Sequence, residues 1–164
     1  MPKRPARNKP HSLQQELKQR RPFRSPGHEA LLDVAHTADV LVRAFAHLVR
    51  PWGITPQQYN VLRILRGAGG DGLPTLEIAD RMVERTPGIT RLIDRLERGG
   101  WVVRVRSSAD RRQVHCRATP SGVALLAKLD PVVERYENGV LSSLTTAQHV
   151  ALVKLLDALR AAVR

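Results

Sequence analysis

The stretch TPGITRLIDRLERGGWVVRVRSSADRRQVHCRATP, residues 86–120, changes its period twice. Up to Arg98 the apolar residues Ile89, Leu92, Ile93 and Leu96 return at three- and four-residue spacing, which predicts an amphipathic helix. Thr86 is placed to cap it, Pro87 to occupy its first position, and Gly99-Gly100 to stop it. From Trp101 to Arg106 apolar and polar residues alternate. SSADRR interrupts the alternation and Gln113 resumes it, so two strands joined by an exposed turn are expected. Upstream, LEIADRMV at 76–83 reads as a short helix capped by Thr75, and ERT as a tight turn. A short helix, a turn, a second helix and a hairpin follow one another, and the second helix of such a pair is the one that enters a DNA major groove.

The side chains suit that placement. Opposite the apolar face of 86–98 stand Thr90, Arg91, Asp94, Arg95 and Arg98. A solvated face held by Arg91–Asp94 and Asp94–Arg98 ion pairs is the plain alternative. Thr86, Thr90 and Arg91 lie in the N-terminal half, the half that reaches base edges, where an arginine bonding guanine is worth about 1–3 kcal/mol of discrimination. In the hairpin, Trp101, Val103 and Val105 are expected on one face with Val102, Arg104 and Arg106 on the other. On the return strand Val114, Cys116 and Ala118 are expected inward, with His115 an exposed strand residue. At the tip, Asp110 is placed to aim Arg111 and Arg112 by a charge-assisted bond, and a narrow minor groove attracts such arginines.

Charge agrees in sign and location. The chain has 164 residues, a net charge of +12 and a pI near 11.3. Residues 1–27 carry +7, residues 28–74 sum to zero, residues 75–119 carry +4 and residues 120–164 carry +1. The excess therefore sits in an N-terminal extension and in the helix–hairpin block, which suggests a polyanionic partner. The extension, rich in proline and charge, is expected to be disordered apart from a short helix near 12–20. A single cysteine, Cys116, excludes an intramolecular disulfide and a cysteine-built zinc site, and it reads as a small core residue. No apolar run approaches the roughly 18 residues of a spanning helix, and the N-terminus has no apolar core of a secretory signal. No membrane partner is expected.

Helices are predicted over 28–49, over 56–66 with Thr55 as cap and Pro56 first, over 120–144 with a kink or break at Pro131, and over 146–163. GAGGDGLP at 67–74 reads as a loop. The apolar helical termini, 28–49 and 120–163, the latter carrying Leu152, Leu155, Leu156 and Leu159, have more hydrophobic face than one small domain needs, which points to a symmetric dimer. The expected fold is mainly α with a small β-hairpin wing: a winged helix-turn-helix over 54–119, flanked by dimerisation helices at 28–50 and 120–164.

The run LEIADRMVERTPGITRLIDRLERGGWVVRVRSSADRRQVHCRATPSG, with ITPQQYNVLRIL at 54–65, resembles the winged helix-turn-helix core of the MarR (multiple antibiotic resistance regulator) family. The resemblance covers about 28–164. It implies a homodimeric transcriptional regulator, usually a repressor, bound to a pseudo-palindromic operator of double-stranded DNA in the bacterial cytoplasm and nucleoid. By position it implies DNA contacts from Thr86, Thr90, Arg91 and Arg95 and from the wing residues Asp110, Arg111 and Arg112, with Arg112 the first choice for the minor groove. Thr75 and Arg106 are counted with them. Family members often answer to small phenolic or aromatic acids, and His36, Arg43, Trp52, Tyr59 and Arg63 are the candidates to line such a site.

The chain also departs from parts of the family. No cysteine lies near the first helix, as peroxide-sensing members have. The six histidines are scattered, which argues against a zinc-responsive cluster, so neither a metal nor a cofactor is expected. A tryptophan expected in the extension of urate-responsive members is absent. Two rival functions stay open: a non-specific or architectural nucleic-acid binder driven by the basic extension, and a small enzyme. The sequence offers no catalytic residue for the second, no nucleophile–base pair, paired carboxylates or phosphate loop.

Overall fold

The computed structural model describes residues 12–84, 87–106 and 113–163. Two compact units divide these residues, one up to His47 and one from Leu48 onward.

In the first unit, Ser12 starts a single helical turn, α1 (Leu13–Glu16), through a reciprocal pair of bonds with Gln15. The long α2 (Pro26–Val49) begins where the Ser25 hydroxyl accepts from the His28 amide at 3.2 Å. Leu31, Val34, Val40, Leu41 and Val42 are all exposed on it.

The second unit is built around α3 (Pro56–Ala68). Thr55 and Gln58 form a capping box at its start, as the Thr-Pro sequence predicts. Gln58, Tyr59, Val61, Leu62 and Leu65 are all buried, because α3 packs against three helices and a strand. The segment expected as a loop before residue 75 contains a third strand, β1 (Leu73–Pro74), paired with β3 (Val114–Ala118). Its two residues include a proline, which only an edge strand tolerates, so no period betrays it. Gly72 makes the pairing possible: at φ +67° it lies so close to β3 that a Cβ would fall 2.3 Å from the Cys116 carbonyl oxygen.

Helix α4 (Thr75–Asp80) is shorter than expected, and Pro74 rather than Thr75 precedes it as cap. Helix α5 (Ile89–Arg98) starts later than predicted, after Gly88 in the left-handed conformation; Thr86 lies outside the described residues. Strand β2 (Val102–Arg106) pairs antiparallel with β3, giving the order β1-β3-β2. The faces of β2 alternate as expected, and the one that turns to the core is that of Val102 and Arg104. Val102 is buried and Val103 is 40% exposed, and Arg104 sits opposite the buried Cys116. Apolarity favours Val103 and Val105 as the inward pair. The structure turns Arg104 that way instead because two carboxylates meet it there. Val114, expected inward, is 47% exposed.

Thr119 caps α6 (Pro120–Leu141), accepting from the Gly122 amide at 3.1 Å while its hydroxyl donates to the Gly100 carbonyl at 2.7 Å. Where a kink or break was expected, the helix runs through Pro131 without a break. Pro131 removes one amide donor, but it and Ala127, whose carbonyl loses that partner, are both exposed, so water replaces the bond. Arg66 forks onto Asp130 at 2.7 and 3.1 Å and fastens α3 to α6. Leu62, Leu65, Ile78, Ile93, Leu96, Leu126 and Leu129 fill the core of this unit. Helix α7 (Thr146–Ala161) opens with a Thr145–Gln148 capping box and buries no residue. No helix among the described residues is long and apolar enough to cross a membrane.

Candidate nucleic-acid interface

Helix α5 buries Leu92, Ile93 and Leu96 and exposes Thr90, Arg91, Arg95 and Arg98. Its two acids do not pair with those arginines. Asp94 Oδ1 accepts from Arg104 Nη2 at 2.6 Å, and the Glu97 carboxylate binds Arg104 Nη1 while accepting from the Arg104 main-chain amide at 3.2 Å. The ion pairs of the plain alternative, Arg91–Asp94 and Asp94–Arg98, do not form; a helix-to-strand cluster takes both acids instead. Burial pulls the Arg104 guanidinium pKa down, but the bonds to Asp94 and Glu97 outweigh it and leave it raised. Arg91, Arg95 and Arg98 have no carboxylate partner among the described residues.

The turn before α5 is tied to α3. Asn60 Oδ1 accepts from the Val83 amide at 3.4 Å, and Gln57 donates to the Glu84 carboxylate at 3.2 Å. Arg106, the last residue of β2, is exposed. Thr75 is half-buried, its Oγ1 3.9 Å from Cys116 Sγ. Cys116 is fully buried, and that burial pushes its thiol pKa up, with the Thr75 hydroxyl opposing; it is the core residue its strand position predicts. His115, expected on an exposed face, instead directs Nδ1 at the Asp71 carbonyl, 3.0 Å away, and holds the turn before β1. Thr86, Asp110, Arg111 and Arg112 lie outside the described residues.

The five candidate ligand residues are less concentrated. In the first unit, His36 Nε2 meets Glu16 Oε2 at 3.0 Å, and Arg43 pairs with Asp39 at 2.6 Å. In the second, the Arg63 guanidinium lies 5.9 Å from the centre of the Tyr59 ring. Burial raises the Tyr59 pKa, with Arg63 opposing. Trp52 belongs to a different place, an open cleft of about 340 Å³ lined by Trp52, Trp101, Ser121, Ala124, Leu125 and Lys128. Sequence reasoning missed Trp101 and Lys128 there. Ser121, Ala124, Leu125 and Lys128 do recur at helical spacing, but only the fold brings them to the tryptophans. It also missed Arg104, whose signal was a charged residue within a strand that follows two acids three positions apart.

Residues 52–113 match the model of the MarR family. A MarR transcription factor from Planctomyces limnophilus is 35% identical; the superposition covers 84% of this chain and 99% of that one, with a TM-score of 0.63. The chain belongs to the MarR family. Among other MarR-like proteins, BpsR of Bordetella bronchiseptica, whose DNA binding is regulated by 6-hydroxynicotinic acid, is 26% identical over 85% of this chain and 97% of its own, with a TM-score of 0.68. A transcriptional regulatory protein assigned to the hcr operon of Thauera aromatica is 32% identical over 107 residues, 65% of this chain and 63% of that protein. The match thus spans a little under two thirds of that relative's length. These relatives are regulators rather than enzymes. The family match takes in α3, α4, α5 and β2, so the helix–strand cluster of Asp94, Glu97 and Arg104 lies wholly within the MarR segment.

Proposed function

We propose that the chain is a homodimeric, sequence-specific DNA-binding repressor. Residues 54–119 form the winged DNA reader, residues 28–50 and 120–164 the dimerisation helices, and residues 1–27 a basic extension. The observation that carries this reading is the outer face of α5, where Arg91, Arg95 and Arg98 stand exposed with no acid of the helix turned toward them. Thr90 and Arg91 read base edges in the major groove. Arg95 and Arg106 meet phosphate. The wing arginines, Arg112 before Arg111, aimed by Asp110, enter the minor groove; Thr75 and Thr86 complete the assigned set. Dimerisation is supported by the unburied apolar side chains of the terminal helices, among them Leu31 at 61% exposure and Leu155 at 65%. Two copies of α5 would enter successive major grooves about 34 Å apart.

A small aromatic acid is proposed as effector, on the strength of the Bordetella relative. Tyr59 with Arg63, and separately Trp52, are the assigned contacts in the second unit, and His36 and Arg43 those in the first. The ligand would act by favouring a dimer whose helices no longer match the groove spacing.

The test is a gel-shift titration against duplex from the region upstream of the chain's own coding sequence, beside scrambled duplex. Specific binding should weaken by ~10³–10⁵ between ~50 and ~200 mM salt if ~6–10 phosphates are contacted. Arg91→Ala should lower affinity mainly for the specific duplex. Equal binding to both duplexes, abolished by removing residues 1–27, would establish the tail-driven binder instead.

A further inference from the structure

Helix α5 holds three arginines and two acids within ten residues. Arg91 and Arg98 stand three residues before and four after Asp94, the two positions from which a helical arginine reaches an aspartate. An isolated helix of this sequence would spend Asp94 on one of them, and a guanidinium so engaged is withdrawn from phosphate. In the folded chain Asp94 turns to Arg104 instead. Arg98 reaches only the main-chain carbonyl of Asp94, through Nε at 3.4 Å. Glu97 has no base three or four residues away within α5, and it too is held by Arg104.

We infer that Arg104 is a positioning residue for DNA recognition: from β2 it captures both carboxylates of α5 and so keeps the helix's arginines un-neutralised for the phosphate backbone. The inference rests on the DNA-binding reading above. Its chemistry needs an arginine. The guanidinium presents separate N–H groups to two carboxylates at once, while a lysine ammonium offers a single point of charge. Arg104 keeps a quarter of its side-chain exposure and lies opposite the buried Cys116 in the sheet, so its guanidinium is held on the inner side of the cluster while the two carboxylates stay partly exposed.

The experiment measures the slope of log affinity against log salt, by fluorescence anisotropy with the labelled upstream duplex. The full-length chain is compared with Arg104→Met, Asp94→Asn and the double variant, each checked for cooperative thermal unfolding. Arg104→Met should lower the slope by about 0.9, the loss of one phosphate contact, so that a fourfold rise in salt weakens binding ~3-fold less. The double variant should regain the original slope, because no aspartate remains to reclaim an arginine. Asp94→Asn alone should leave the slope unchanged. Should Arg104→Met not fold, Arg104→Lys takes its place, with a smaller fall of the same sign that Asp94→Asn again reverses. An unchanged slope in Arg104→Met overturns the inference. So does a fall that Asp94→Asn does not rescue, which would make Arg104 only a staple between helix and strand. A slope that rises in Asp94→Asn alone would show that Asp94 already neutralises an arginine, and it overturns the inference equally. If the unsubstituted chain shows no salt-dependent duplex binding, the DNA-binding reading falls and this inference with it.

Discussion

Helices α5 and α7 both carry apolar residues at helical spacing, and they end in opposite conditions. Helix α5 buries Leu92, Ile93 and Leu96, and its acids are paired by a neighbouring strand, so everything but its cationic face is completed by the chain itself. Helix α7 buries nothing: Val150, Leu152, Val153, Leu155 and Leu159 are all exposed. Periodicity reports how apolar residues are distributed around a helix and not what covers them. Only the packing shows that one apolar face is covered within the chain and the other is exposed.

The largest effect that would break this contrast is in stability. Leu96→Ala should cost about 2–5 kcal/mol of unfolding free energy, because a fully buried leucine leaves a cavity. Leu155→Ala should stay within about 0.5 kcal/mol in dilute, dissociated protein, and show its effect in sedimentation as weaker self-association. Equal losses in urea unfolding of the dilute chain would erase the difference between the helices.

Asp130 lies in the packed part of α6, where Leu126, Leu129 and Val133 are buried, whereas Val140 and Leu141 farther along are exposed. The bond from Arg66 is the main cause that holds the Asp130 pKa below the usual carboxylate value. It therefore adds stability above the unfolded value of about 3.9, and that stability is lost as pH falls through the lowered folded value. Both side chains are partly exposed, so Asp130→Asn should cost only about 0.5–1 kcal/mol at neutral pH. The difference from the unsubstituted chain should vanish in acid. A difference that persists at low pH would assign the effect to packing.

The smallest effect concerns Cys116, inside the completed region. Its raised pKa keeps the thiol protonated, so a thiol reagent should label it only on unfolding. Stability should fall slightly as pH climbs past about 8.5, where the unfolded thiol ionises and the folded one does not. Rapid labelling of the native chain would place Cys116 at the surface.

What was legible in the sequence was local. Thr55-Pro56 and Thr119-Pro120 declare helix starts because the capping atoms lie within three residues. The stop at Gly99-Gly100 and the fold class follow from similar short-range chemistry. What was not legible depends on partners distant in sequence. Strand β1 exists only because β3 lies beside it, and the phase of β2 was hidden because Arg104 looks like a solvent residue until Asp94 and Glu97 are brought to it. The candidate ligand residues fared least well for the same reason: Trp52 shares its cleft with Trp101 and Lys128, which no spacing connects to it.

Thr119 makes two bonds at once, donating to the carbonyl of Gly100 just beyond α5 and accepting from the first turn of α6. It is therefore a pivot. The 22 residues of α6 extend about 33 Å from it, so a tilt of ~5° at Thr119 moves the far end by roughly 3 Å. Conversely, a push of a few ångströms at the distal end of that lever would reach the exit of α5 as a small rotation, and in the proposed dimer such a rotation would change the separation of the two α5 helices.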